Sequence, residues 1–128
     1  MENISLGKLG ERLAAKFLSS KGYQIIEMNF HKRWGEIDIV ALDPSSPAGG
    51  SGQVALVFVE VKTRMESDRI SPEESITPWK IKTLKRTALF YKNLHPELPE
   101  LLRIDFVGVV LNENYHTIRI NNIKNITP

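Results

Sequence analysis

The sequence predicts an α/β fold, a mixed β-sheet flanked by helices in the order αβββαββ, within a single domain spanning residues 1–128. Three observations predict it. Two stretches repeat apolar residues at helical spacing behind a capping residue, and five shorter ones are β-branched or alternate with period two. The second helix falls between strands, and no segment repeats, which argues for a mixed sheet with helices on it. A chain of 128 residues can bury a core without staples.

The first helix is expected from about Ser5 to Ser20, with Ser5 as N-cap and Gly22 as the stop. Leu6, Leu9, Leu13, Ala14, Phe17 and Leu18 fill one arc of its wheel, Lys8, Arg12 and Lys16 another, and Glu11 lies at the edge of the apolar arc. A strand follows around Tyr23 to Met28, then a turn through Asn29 to Gly35 and a strand from Glu36 to Leu42. DPSSPAGGSGQ, residues 43–53, reads as a flexible loop. The run from Val54 onward is the most apolar strand of the chain, and MESDRISPEES beyond Arg64 is polar and aperiodic. Thr77 caps a second helix with Pro78 at its first position, running to about Asn93. Two closing strands are expected at Arg103 to Val110 and Tyr115 to Ile120, with a turn at Asn112 to Asn114.

Composition narrows the chemistry. There is no cysteine, which excludes disulfides, thiolate nucleophiles and cysteine-based zinc sites, and the three histidines lack metal-ligand spacing. No uninterrupted apolar stretch resembles a leader or a membrane span, so a cytoplasmic protein with no membrane partner is expected. The net charge of +2 neither requires nor forbids a polyanionic partner.

The informative stretch is VFVEVKTR, residues 57–64, in which a buried-looking strand takes up Glu60 and Lys62. Val57, Val59 and Val61 share one face and Leu56, Phe58, Glu60 and Lys62 the other, the two charged residues starting roughly 7 Å apart. Burial of such charges costs several kcal/mol each unless they are paired or bind something. In EIDIVAL, alternation gives Ile37 and Ile39 one face and Glu36, Asp38 and Val40 the other, and one hairpin register sets Asp38 beside Glu60. Two carboxylates converging with a lysine suit Mg²⁺ completed by water and phosphate oxygens. An ordinary Glu–Lys strand pair accounts for the same residues without a metal.

Around this set lie cations with two readings each. Lys80 shares the side of Ile81, Leu84, Ala88 and Tyr91, so it either reaches the acidic site or snorkels past the helix end. Lys82, Lys85, Arg86 and Lys92 make an outer basic cluster interrupted by Leu89, a DNA track or a solvated face. Arg64 would bind phosphate or face solvent. Lys32, Arg33 and Trp34, with His31, suit gripping a backbone and stacking a base, or plain packing. Asp105 reads as structural.

Taken in order, GKLGERLAAKFLSSKGY, NFHKRWGEIDIVA, LVFVEVKTR, ITPWKIKTLKRTALFY and RIDFVGVV resemble the YraN family of small bacterial proteins, which is similar to the archaeal Holliday junction resolvases and the restriction-endonuclease-like PD-(D/E)xK nucleases. The resemblance covers nearly the whole chain. It implies a restriction-endonuclease-like fold and a metal-dependent endonuclease acting on DNA, in particular branched or recombination intermediates. On that reading Asp38 and Glu60 bind Mg²⁺, with Mn²⁺ as the alternative ion, and the Val61 carbonyl and the helical Glu11 complete the shell. Lys62 becomes the catalytic lysine that orients or deprotonates water, and a homodimer is implied by analogy. The competing expectation is a nucleic-acid-binding module of nuclease fold that cleaves little by itself or awaits a partner; a third is a protein-interaction domain. Two departures stand out: ESDRISPEES lacks the aromatic-glycine pair common there in relatives, and DPSSPAGGSGQ lengthens a connection that is commonly short.

Overall fold

A computed structural model describes residues 4–44 and 53–127. The elements are α1 (Leu6–Ser20), β1 (Gln24–Lys32), β2 (Gly35–Asp43), β3 (Ala55–Met65), α2 (Pro78–Leu94), β4 (Leu102–Leu111) and β5 (Thr117–Ile123), with two short 3-10 turns at Glu66–Asp68 and Pro72–Ser75. This is the expected order αβββαββ, compatible with a restriction-endonuclease-like fold. The loop reading over residues 45–52 lies outside the described residues.

The five strands form one sheet in the order β1-β2-β3-β4-β5. β1, β2 and β3 are antiparallel neighbours, β3 and β4 are parallel, and β5 returns antiparallel to β4. A parallel pair needs a crossover, and α2 supplies it. The Ser5 side chain accepts from the Lys8 amide at 3.2 Å to start α1, and Thr77 accepts from the Lys80 amide at 3.1 Å to start α2. Gly22, at φ +94, occupies the left-handed region just past the end of α1.

The helices cover opposite faces. Ala14 and Leu18 of α1 pack with Ile39, Val57, Val59, Val107 and Val109. Leu84, Ala88 and Tyr91 of α2 pack with Phe30, Ile37, Val40 and Phe58. No helix among the described residues is long and apolar enough to cross a membrane.

Two expectations are corrected. β1 does not stop at Met28; it continues to Lys32, leaving only Arg33 and Trp34 between Lys32 and its ladder partner Gly35. Asn29 takes φ 58 inside the strand, so a residue that reads as a turn is a local twist that the ladder tolerates. The same twist overturns the alternation of EIDIVAL. Met28 pairs with Ile39 and Phe30 with Ile37, yet Ile39 joins the core beneath α1 and Ile37 the core beneath α2. Asp38, between them, sits where the strand changes face.

Candidate active site

Val57 to Phe58 lie fully buried in β3, and the ladder between β2 and β3 ends at the pair Ile39 and Val59. Asp38 and Glu60 are the next residues on each strand. They meet through side chains instead of through the ladder: Asp38 Oδ2 accepts from the Val61 amide at 2.8 Å, taking the place of a backbone carbonyl. Both acids are nearly buried, at 9% and 8% exposure.

Burial pushes the Asp38 carboxyl up to about 8, helped by the negative charges of Glu60 and Glu11 and by a hydrogen bond with Glu60, and opposed by the bond from Val61. Asp38 therefore keeps its proton through neutral pH when no cation is bound. Glu11 arrives because α1 crosses β3 at Gly10, where any Cβ would overlap the Thr63 hydroxyl. Its Oε1 is buried without a hydrogen bond among the described residues, 3.5 Å from Lys8 Nζ.

Lys80 is the cation in direct contact, with Nζ 3.0 Å from Glu60 Oε2. Burial alone would lower its ammonium, but Glu60, and behind it Asp38 and Glu36, hold it above its ordinary value. The helix start that Thr77 caps thus aims Lys80 inward. Lys62 follows Glu60 on the same strand, half-buried and opposite Gly108 of β4. Two residues further, the Arg64 Nε is buried with no hydrogen bond among the described residues.

Other predicted residues stand apart. Lys82 is exposed on the outer side of α2. Arg33 and Trp34 are exposed at the β1–β2 turn, and Lys32 lies over the rings of Phe30 and Phe90. Lys92 leaves the outer basic cluster altogether: its Nζ donates to the Pro96 and Leu98 carbonyls, closing the C-terminal end of α2. Sequence reasoning missed the association of Arg86 and Phe90 with Trp34, because the contacts join α2 to a hairpin far away in the chain.

Among the described residues no three His, Cys, Asp or Glu side chains form a group able to hold a metal by themselves. Mg²⁺ requires less than that, since one or two carboxylates with main-chain and water oxygens suffice. Asp38 and Glu60 are two nearly buried carboxylates beside each other, so their chemistry meets that requirement.

The family described as an uncharacterised protein family, UPF0102, matches residues 10–109. A UPF0102 protein of Syntrophomonas wolfei is 40% identical over 96% of this chain and 97% of its own length. Another, of Caldicellulosiruptor saccharolyticus, is 36% identical over 98% of each chain, and one of Pelobacter propionicus is 35% identical over 88% of this chain and 75% of its own. The matched span holds every residue of the acidic site, Glu11, Asp38, Glu60, Val61, Lys62 and Lys80. The chain therefore belongs to the UPF0102, or YraN, family.

Proposed function

We propose that the protein is a Mg²⁺-dependent endonuclease that hydrolyses phosphodiester bonds in DNA, with branched or recombination intermediates as the favoured substrates. The observation that supports it best is the pair of nearly buried carboxylates, Asp38 and Glu60, meeting where the β2–β3 ladder ends. Buried acids with too few cations destabilise a fold unless they bind something.

Asp38, Glu60 and the Val61 carbonyl would hold the ion, with Glu11 supporting the shell and Mn²⁺ as the alternative metal. Mg²⁺ supplies neutralisation of the scissile phosphate and acidification of a bound water. Lys62 orients the attacking water and offsets charge developing on the phosphate. Lys80, now 3.0 Å from Glu60, would serve a phosphate oxygen where a cation held that carboxylate instead. Arg64, Lys32, Arg33 and Lys82 contribute charge along the DNA path. The setting is cytoplasmic, and two sites acting on two strands would come from a homodimer.

A second reading has its own observation. Lys80 already neutralises Glu60 at 3.0 Å, which suits a non-catalytic or partner-activated nucleic-acid-binding module. Calorimetric titration of Mg²⁺ and Mn²⁺ into wild type and Asp38→Ala, beside cleavage assays on linear, flapped and four-way-junction DNA, separates the two. Metal binding and cleavage lost together in the variant support the nuclease; DNA binding in EDTA unchanged by Mg²⁺, with no cleavage, supports the module.

A further inference from the structure

A surface cleft beside the acidic site is lined by Lys32, Arg33, Trp34, Glu36 and Lys80. Lys80 belongs to both, since its Nζ contacts Glu60. The cleft and the proposed phosphate site therefore share Lys80. Its wall is an indole in an unusual setting.

Trp34 is 40% exposed at the tip of the β1–β2 hairpin. Exposed aromatic surface is unfavourable in water, and a turn of two residues has no need of an indole. The ring is nevertheless fixed from several sides. Arg86 lies 5.3 Å from its centroid and donates through Nη2 to the Trp34 carbonyl at 3.3 Å. Phe90 stands nearly perpendicular to it at 5.1 Å, and Lys32 lies over Phe90 at 5.5 Å. An aromatic surface held in place, half open to water and rimmed by cations, has the composition of a nucleobase platform: the ring takes a base and the cations take the flanking phosphates.

We propose that Trp34 stacks an unpaired nucleobase next to the scissile phosphate, so that the substrate class is DNA with a single-stranded or unpaired nucleotide at the cut. The inference rests on the nuclease reading for the position of the cut. Stacking requires a base face that an intact duplex keeps inside its own stack. Binding through Trp34 therefore discriminates between DNA structures, whereas the cations around it do not. Arg86 is a positioning residue, acting through the ring it covers.

The chain has two tryptophans, and the other, Trp79, is 70% exposed on α2. In a Trp79→Phe background the fluorescence of Trp34 alone reports on its surroundings. Short single-stranded, flapped and blunt duplex oligonucleotides are titrated with Ca²⁺ in place of Mg²⁺. Expected are quenching by single-stranded and flapped DNA, an affinity loss of about 5- to 100-fold for these in Trp34→Ala, largely restored in Trp34→Phe, and little change for the duplex.

Equal losses for duplex and single strand, or no loss at all, overturn the proposal. So does concentration-dependent self-association of the wild type that Trp34→Ala abolishes while DNA affinity stays the same, because the patch is then a protein interface. Failure of wild type to bind any DNA removes both this inference and the nuclease reading. Trp34-dependent preference for single strands without cleavage by wild type in Mg²⁺ supports the stacking site and removes the nuclease alone.

Discussion

Two groups of buried acids occupy the same sheet, and they are solved differently. Asp43 and Asp105, both fully buried, flank Arg103, whose guanidinium donates to Asp43 at 2.8 Å and to Asp105 at 2.8 and 2.9 Å. The Tyr23 hydroxyl accepts from Arg103 at 2.8 Å and donates to Asp105 at 3.0 Å, and the Asn125 amide adds a bond to Asp105 at 3.0 Å. Burial alone would lower the Arg103 guanidinium, but its two aspartates hold it above its ordinary value; burial, with Asp105, pushes the Tyr23 hydroxyl up. Lys124 Nζ lies 3.7 Å from Asp43, so two cations face the two aspartates. Among the described residues the ion pairs of Asp38, Glu60 and Glu11 are with Lys80, on Glu60, and Lys8, more distant, beside Glu11. The first group balances its own charge, as a structural network does. The second keeps Asp38 protonated instead of paired, a perturbed carboxyl of the kind that the proposed metal site would use.

Removing Arg103 from the satisfied group gives the largest expected effect. Arg103→Met leaves Asp105 buried without its guanidinium and Asp43 with only the more distant Lys124, and should cost about 3–5 kcal/mol, read from urea unfolding. Adding Asp43→Asn and Asp105→Asn to that variant should recover most of the loss, since the penalty is for unbalanced charge and not for a missing contact. An additive, still larger loss in the triple variant would break the comparison.

In the other group the sign reverses. Asp38→Asn should stabilise the metal-free protein, by about 2–5 °C in Tm at pH 7.5, and on the proposed nuclease reading it should abolish cleavage. Because the folded protein raises Asp38 from 3.8 to about 8, it binds that proton more tightly than the unfolded chain. The wild type therefore loses stability as pH rises through this window and regains it toward pH 4. The advantage of the asparagine should be small near pH 4.5 and full above pH 8. Thermal melts across that range, with and without Mg²⁺, test it: the ion should raise Tm in the wild type and leave Asp38→Asn unmoved.

The difference between the groups was only partly legible in the sequence. The run VFVEVKTR announces buried charge because Glu60 and Lys62 continue an apolar strand, and the helix that presents Lys80 follows from Thr77 and Pro78. The element order is equally plain, since it rests on caps and periodicity. The place of Asp38 is not, because strict alternation fails at Asn29, whose φ of 58 no pattern of apolar residues encodes. Arg103 and Asp105 stand two apart on one strand and so share a face, a usable sign of a buried pair. Asp43, at the far end of another strand, gives no local hint of joining them.

Lys80 sharpens the contrast at smaller scale. Its side chain is 36% exposed, so its ion pair with Glu60 is partly screened. Lys80→Met should cost about 1 kcal/mol in the metal-free protein. If a divalent ion and this lysine neutralise the same carboxylate, Mg²⁺ should raise the Tm of Lys80→Met by more than it raises the wild type, and calorimetry should show tighter binding in the variant. An identical Mg²⁺ response in both would mean that the ion and Lys80 use separate charges.

The smallest effect belongs to Lys82, exposed on the opposite side of the same helix. Lys82→Ala should leave stability within about 0.5 kcal/mol of wild type and Mg²⁺ affinity unchanged, because among the described residues no ion pair or hydrogen bond joins it to either acidic group. On DNA it should weaken all structures alike and reduce the dependence of log affinity on log salt by about one ion. That pattern is the counterpart of Trp34, which is expected to separate single-stranded from duplex DNA with little change in salt dependence. Side by side, the two variants divide the attraction of a phosphate backbone from the recognition of an exposed base. If Lys82→Ala instead discriminates between DNA structures, the outer face of α2 reads shape, and the path of DNA across the molecule must run over that face as well as past the hairpin.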